Sequence, residues 1–197
     1  MLTIVAALVC LVVSGLDAFP AVAETAHWVP VAGQSLVSFD ASFPPGDFSG
    51  FGRDLTGDFE ADASDLGQGV TGYLSVQVKT ITTGSDGRDK DMYRALSADR
   101  FPTIYFVIQT VEAPSFPLGV SEHNDTLLTI QGRLSIAGVE RVKRFSGRVR
   151  FKQGRLWLRG ESRFKMTDFG IKPPQHLLFR VKDEVGVGFD LLLERRP

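Results

Sequence analysis

From Val37 to Leu193 the apolar residues of this chain recur at every second position, and a period of two commits most of it to strands with one buried face. The clearest run is Leu156 to Met166. There Leu156, Leu158, Gly160, Ser162, Phe164 and Met166 point one way, and Trp157, Arg159, Glu161, Arg163 and Lys165 the other, because successive Cβ atoms alternate across a strand. Val185, Val187, Phe189, Leu191 and Leu193 form a second row, opposed by Gly186, Gly188, Asp190, Leu192 and Glu194. Val37, Phe39, Ala41 and Phe43 form a third. Less pure alternation covers 55–61, 71–79, 103–111, 126–136 and 142–152, which makes eight predicted strands.

Ala137-Gly138 and Gln153-Gly154 interrupt neighbouring runs where glycine accepts the positive φ of a hairpin, so the strands are expected to follow one another in an antiparallel meander. One segment breaks the period. In residues 89–98, Met92, Tyr93 and Leu96 recur at helical spacing behind acidic residues that suit a helix N-terminus, which predicts one short helix. Eight strands with one apolar face would leave costly edges in an open sheet, so closure into an all-β, eight-stranded barrel is expected. Such a barrel is just wide enough to be filled by side chains or by one slender ligand. Arg148, Arg150, Lys152, Arg159, Arg163 and Lys165 stand opposite the apolar rows. Facing lipid, each would cost about 2 to 4 kcal/mol at mid-membrane, so the apolar face must point inward.

The first 23 residues read as a leader, not as part of the fold. Leu2 to Val13 is almost unbroken apolar sequence, and Ala21-Val22-Ala23 before Glu24 has the pattern of a cleavage site. A membrane span would need about 20 such residues. The folded domain is therefore expected to cover 24–197 and to lie in the periplasm or outside the cell. Cys10, the only cysteine, falls in the leader, which leaves neither a disulfide framework nor a cysteine-based zinc site. The three histidines, His27, His123 and His176, are scattered, and no metal site or cofactor is expected.

With 22 basic and 23 acidic residues the chain has no global attraction for nucleic acid. The basic residues cluster between Arg141 and Lys165, but they alternate along strands as a solvated outer face does. Docking of a barrel mouth on an anionic membrane is the use they suggest. Catalysis finds little support. Neither G-x-S-x-G nor H-E-x-x-H occurs, and Gly84-Ser85-Asp86-Gly87 lacks the lysine of a phosphate-binding loop. In Arg88-Asp89-Lys90-Asp91, Asp89 or Asp91 is expected to cap the short helix and Arg88 to pair with a neighbouring carboxylate, so no catalytic residue is assigned.

The chain holds 15 Phe, 3 Tyr and 2 Trp, and many lie on inward rows. An interior so lined either packs solid or holds an apolar guest. The candidates for lining a ligand channel are Phe39, Phe43, Phe106, Ile108, Leu156, Leu158, Phe164 and Phe189.

Three segments sharpen the choice. Thr80 to Ile108 carries a Thr-Thr-Gly turn ending at Gly84, then Arg88-Asp89, a short helix, and Phe101-Pro102-Thr103 leading into a strand. Leu127 to Val139 carries a G-x-L-x-I-x-G pattern, and Lys165 to Ile171 reads KMTDFGI before a closing strand. In this order and over 35–194, the chain resembles the YceI-like family of lipocalin-like proteins. The resemblance implies an exported, non-enzymatic antiparallel barrel whose lumen takes a long isoprenoid, such as a polyprenyl quinone or polyprenol. Met166 stands where the family often has arginine, and Asp91-Met92 replaces its commoner acidic-His pair. The alternative is a packed barrel acting as an interaction module with no small ligand.

Overall fold

A computed structural model of the chain describes residues 25–44, 46–61, 69–112, 125–176 and 179–196. Residues 1–23, expected to be a leader, and His123 lie outside the described residues. The strands are β1 (Ala26–Pro30), β2 (Leu36–Ala41), β3 (Phe48–Gly52), β4 (Leu55–Ala61), β5 (Thr71–Gln77), β6 (Thr103–Glu112), β7 (Thr126–Ile136), β8 (Val139–Lys152), β9 (Arg155–Lys165), β10 (Gln175–His176), β11 (Phe179–Arg180) and β12 (Glu184–Arg195). One helix, α1 (Asp86–Ala95), and two 3-10 turns at Val78–Thr80 and Met166–Phe169 complete the set.

The ring runs β1-β4-β5-β6-β7-β8-β9-β12 and returns to β1, every pairing antiparallel. It is the closed eight-stranded barrel that the period of two predicts. The first two of its eight staves are broken strands. β1 and β2 both run antiparallel along the same edge of β12, with Pro30 opposite Leu193 and Leu36 opposite Asp190. The residues between them bulge out. Ser35, 1% exposed, repairs the break: its hydroxyl donates to the Leu192 carbonyl at 3.0 Å and accepts from the Leu192 amide at 3.1 Å. Leu192, on the outward row, is buried beside this interruption. β3 and β4 are likewise two halves of the next stave, paired with β2 and β1 respectively. Phe51 and Thr82 exchange two backbone hydrogen bonds, so the upper half closes as the lower half does.

Both expected hairpins form. Ala137 and Gly138 have φ of 50° and 78°, Gln153 and Gly154 have 53° and 73°, and positive φ at both central positions matches the right-handed twist of the flanking strands. The helix differs from its expected span. It begins at Asp86, not Asp89, because the Ser85-Asp86-Gly87 stretch coils into its first turn, and it ends at Ala95, with Ser97 at φ 52° stopping it. Asp89 therefore acts from inside the first turn and not as a cap in front of it.

The inward rows bury as the alternation requires. Leu156 is 3% exposed, Phe164 7% and Leu191 2%, whereas Trp157, Arg159 and Arg163 face solvent. The outer cations are matched across strands: Arg159 reaches Asp190 at 2.6 Å, and Arg150 reaches Asp125 at 2.6 Å. The interior divides along the barrel axis. Its lower end is a packed cluster including Trp28, Phe59, Leu128, Val149, Leu156 and Leu193. Trp28 meets Phe151 edge-on with centroids 6.3 Å apart.

Candidate functional site

Above the packed end the lumen holds a cavity of about 530 Å³, within the range of small-ligand pockets. Seven of the eight sequence candidates, Phe39, Phe43, Phe106, Ile108, Leu158, Phe164 and Phe189, line it. Leu156 faces inward too but sits one level lower, in the packed cluster. Phe43 lies beyond the end of β2 and reaches the cavity from the loop. The wall rings touch one another: Phe106 and Phe145 meet edge to face with centroids 5.2 Å apart, and Phe145 and Phe189 are tilted at 49° with centroids 5.6 Å apart.

Those rings lie against the wall because glycines stand beneath them. A Cβ on Gly50, Gly132 or Gly160 would collide with the ring of Phe39, Phe106 or Phe189 respectively. Gly50 and Gly160 are the direct cross-strand partners of Phe39 and Phe189. A bare backbone lets each ring lie flat on the neighbouring strand. Space is left at the centre.

The upper end is covered by α1, the Met166–Phe169 turn and the strand-poor segment before β12. Met92 and Ala95 project from one face of α1 into the cavity, followed by Leu96 at its C-cap, as i, i+3 and i+4 spacing dictates. Phe169, 1% exposed, and Ile171 close the opposite side. Lys143, missed in the sequence reading, shares the inward parity of Phe145. Its ammonium donates to Asp168 at 2.6 Å and lies 5.0 Å and 5.4 Å from the ring centroids of Phe164 and Phe169. The Lys143 hydrogen bond holds the Asp168 carboxyl below its ordinary pKa. This pair ties the covering turn to β8.

Arg88 and Asp91 are the only charged residues among the described lining. With Gly46, Gly87 and Gln175 they are its exposed members and mark the mouth. Arg88 donates through Nη2 to the Thr83 carbonyl at 3.1 Å and lies 5.4 Å from the Phe48 ring centroid, bracing α1 against β3. Asp91 pairs with Arg94 at 2.9 Å.

Asp89, 8% exposed, anchors the covering helix to the loop before it. It accepts from the Thr83 amide at 2.7 Å, the Thr83 hydroxyl at 2.6 Å and the Thr82 hydroxyl at 2.7 Å. Burial works against its charge. The hydrogen bonds from Thr83 and Thr82, with the Arg88 charge, outweigh burial and hold the carboxyl below its ordinary pKa. A lowered native pKa stabilises the fold above about pH 4, and this contribution is lost as pH falls through the native value. Asp89→Asn is therefore expected to cost about 1–3 kcal/mol at neutral pH. In thermal melts at a series of pH values, the gap from the parent should close under acid conditions. A gap that stays constant with pH would mean that the charge contributes nothing.

Among the described residues no group of three or more His, Cys, Asp or Glu side chains is placed to hold a metal ion. No described helix is long and apolar enough to cross a membrane.

Fold and cavity define a class: closed antiparallel barrels with an apolar lumen reached from one helix-covered end. The YceI-like domain model matches residues 28–193, and the chain belongs to that family. Three solved structures share the fold at low identity. BcnA of Burkholderia cenocepacia is 17% identical with a TM-score of 0.69, over 83% of this chain and 98% of its own. A polyisoprenoid-binding domain from Saccharophagus degradans, implicated in plant cell wall breakdown, is 16% identical with a TM-score of 0.67, over 88% and 100%. The YceI protein of Campylobacter jejuni is 14% identical with a TM-score of 0.61, over 75% and 84%. A search of curated proteins returns no match.

Proposed function

We propose that this chain is a non-enzymatic carrier or scavenger of a long apolar isoprenoid-type molecule, a polyprenyl quinone or polyprenol, held in the lumen. One observation carries the reading: the upper lumen is a cavity of about 530 Å³ with apolar walls, while the lower lumen is packed. A solid interaction module would fill both. Each 100 Å² or so of chain surface moved from water into the lumen supplies about 2.5 kcal/mol, so an apolar tail alone binds tightly. Both charged residues of the described lining stand at the rim, so the described walls offer no acid and base pair for catalysis. The similarity to a polyisoprenoid-binding domain supports the same class of ligand. We also propose that residues 1–23 are a leader, which puts the mature chain, from Glu24, in the periplasm or outside the cell. Loading from a membrane would bring the mouth against an anionic lipid surface.

Organic extraction of the purified mature protein followed by mass spectrometry tests the proposal. An isoprenoid lipid in near-stoichiometric amount is the expected result. Protein that carries no lipid and captures neither an added prenyl quinone nor a polyprenol would return the reading to a packed interaction module.

A further inference from the structure

We propose, on the carrier reading above, that Arg88 and Asp91 select a neutral oxygen-bearing head group, an alcohol or quinone, and exclude phosphorylated ones. The two residues are one helical turn apart on α1 and line the mouth, where i and i+3 side chains are neighbours. Below them the described walls are apolar except at Ser38 and Ser75, and Ser75 already donates its hydroxyl to the Thr56 carbonyl at 3.2 Å, so a polar head seated deeper would lose most of its hydration with little to replace it. The head must stay at the rim. There Arg88 spends Nη2 on the Thr83 carbonyl and Nε on the Thr83 hydroxyl, at 3.1 and 3.4 Å. Nη1 has no partner among the described residues and is free to donate to a hydroxyl or carbonyl oxygen. Asp91 has one oxygen on Arg94, at 2.9 Å, and the other is available to accept from a hydroxyl.

A phosphate needs several converging donors and a surplus of positive charge. The described residues of the mouth supply neither. The N-terminal end of α1, which would otherwise favour an anion, carries Asp86 and Asp89 in its first turn. Asp89 offsets the charge of Arg88, and Asp91 faces the ligand with a charge of its own.

Four probes that share one chain length separate the terms: geranylgeraniol, geranylgeranyl diphosphate, the benzoquinone with the same prenyl chain, and the hydrocarbon phytane. Each displaces a fluorescent prenyl probe from the mature parent protein, from Arg88→Gln and from Asp91→Asn. The parent is expected to bind the alcohol and quinone about tenfold or more tighter than phytane or the diphosphate, as one good hydrogen bond allows. Arg88→Gln should bring alcohol and quinone down to phytane. Asp91→Asn should narrow the gap between alcohol and diphosphate severalfold. Because Arg88 also braces α1, its variant is read beside its melting temperature. The exposed Asp91 gives an independent arm if Arg88→Gln unfolds. Diphosphate binding as tight as the alcohol, or four equal affinities in all three proteins, would overturn the selection while leaving the carrier intact. Failure of all four to bind would overturn the carrier reading and this one with it.

Discussion

Leu156→Ala is expected to destabilise the ligand-free protein by about 2–5 kcal/mol, and Leu158→Ala, two residues along the same face, by clearly less. The two side chains have the same chemistry and the same inward parity. Leu156 is 3% exposed and packed among the lower-end cluster, so its truncation leaves a cavity that close-packed neighbours refill only in part. Leu158 lines the open lumen, so its truncation widens a space that already exists. Ligand capture should reverse the order. Leu158→Ala weakens prenyl quinone binding by removing wall contact, while Leu156→Ala, once folded, binds nearly as the parent does. Urea unfolding and quinone titration of the same two variants check this. Equal and large stability losses at both positions would mean that the lumen is filled.

That contrast also marks how far the sequence could be read. Alternation along β9 and β12 assigns each side chain to a face, and the turns at Ala137-Gly138 and Gln153-Gly154 set the meander order. Barrel, inward rows and the presence of one short helix were therefore legible, but not that the helix covers the lumen. What alternation lacks is the level of a residue along the barrel axis, which depends on strand tilt and stagger between partners distant in sequence. Leu156 and Leu158 look alike for that reason, and one is core while the other is wall.

The broken staves were hidden for a related reason. β1 is only five residues ending at Pro30, and β3 is five residues with two glycines, so neither carries a long enough alternation. Their places follow from the edge of β12 and the Ser35 hydroxyl, 157 residues away from Leu192. Lys143 was obscured by its charge. A cation on an inward row is expected to face out, until a partner such as Asp168 and two aromatic rings are brought over it by the chain's return.

Gly160→Ala should close the lumen and abolish most prenyl quinone binding, because the new Cβ occupies the place of the Phe189 ring. The collision cannot be relieved by a flexible side-chain end. Phe189 is anchored on β12 directly opposite, with Val37 on its other flank and Phe145 5.6 Å away. The open direction is inward, so the ring swings into the cavity. Overpacking of this kind costs about 1–3 kcal/mol where nothing yields, but a vacant lumen accepts the ring, and the stability loss should sit at the lower end of that range. The effect on binding should be far larger than the effect on folding. A second substitution identifies the cause. In Gly160→Ala/Phe189→Leu the smaller side chain clears the alanine methyl, and both stability and quinone binding should recover well beyond the sum of the single changes. Contacting residues with one shared collision show coupling of about 0.5–3 kcal/mol in such cycles. Additive single effects, or unaltered quinone binding by Gly160→Ala, would show that the flat seating of Phe189 on a bare strand is not what keeps the lumen open.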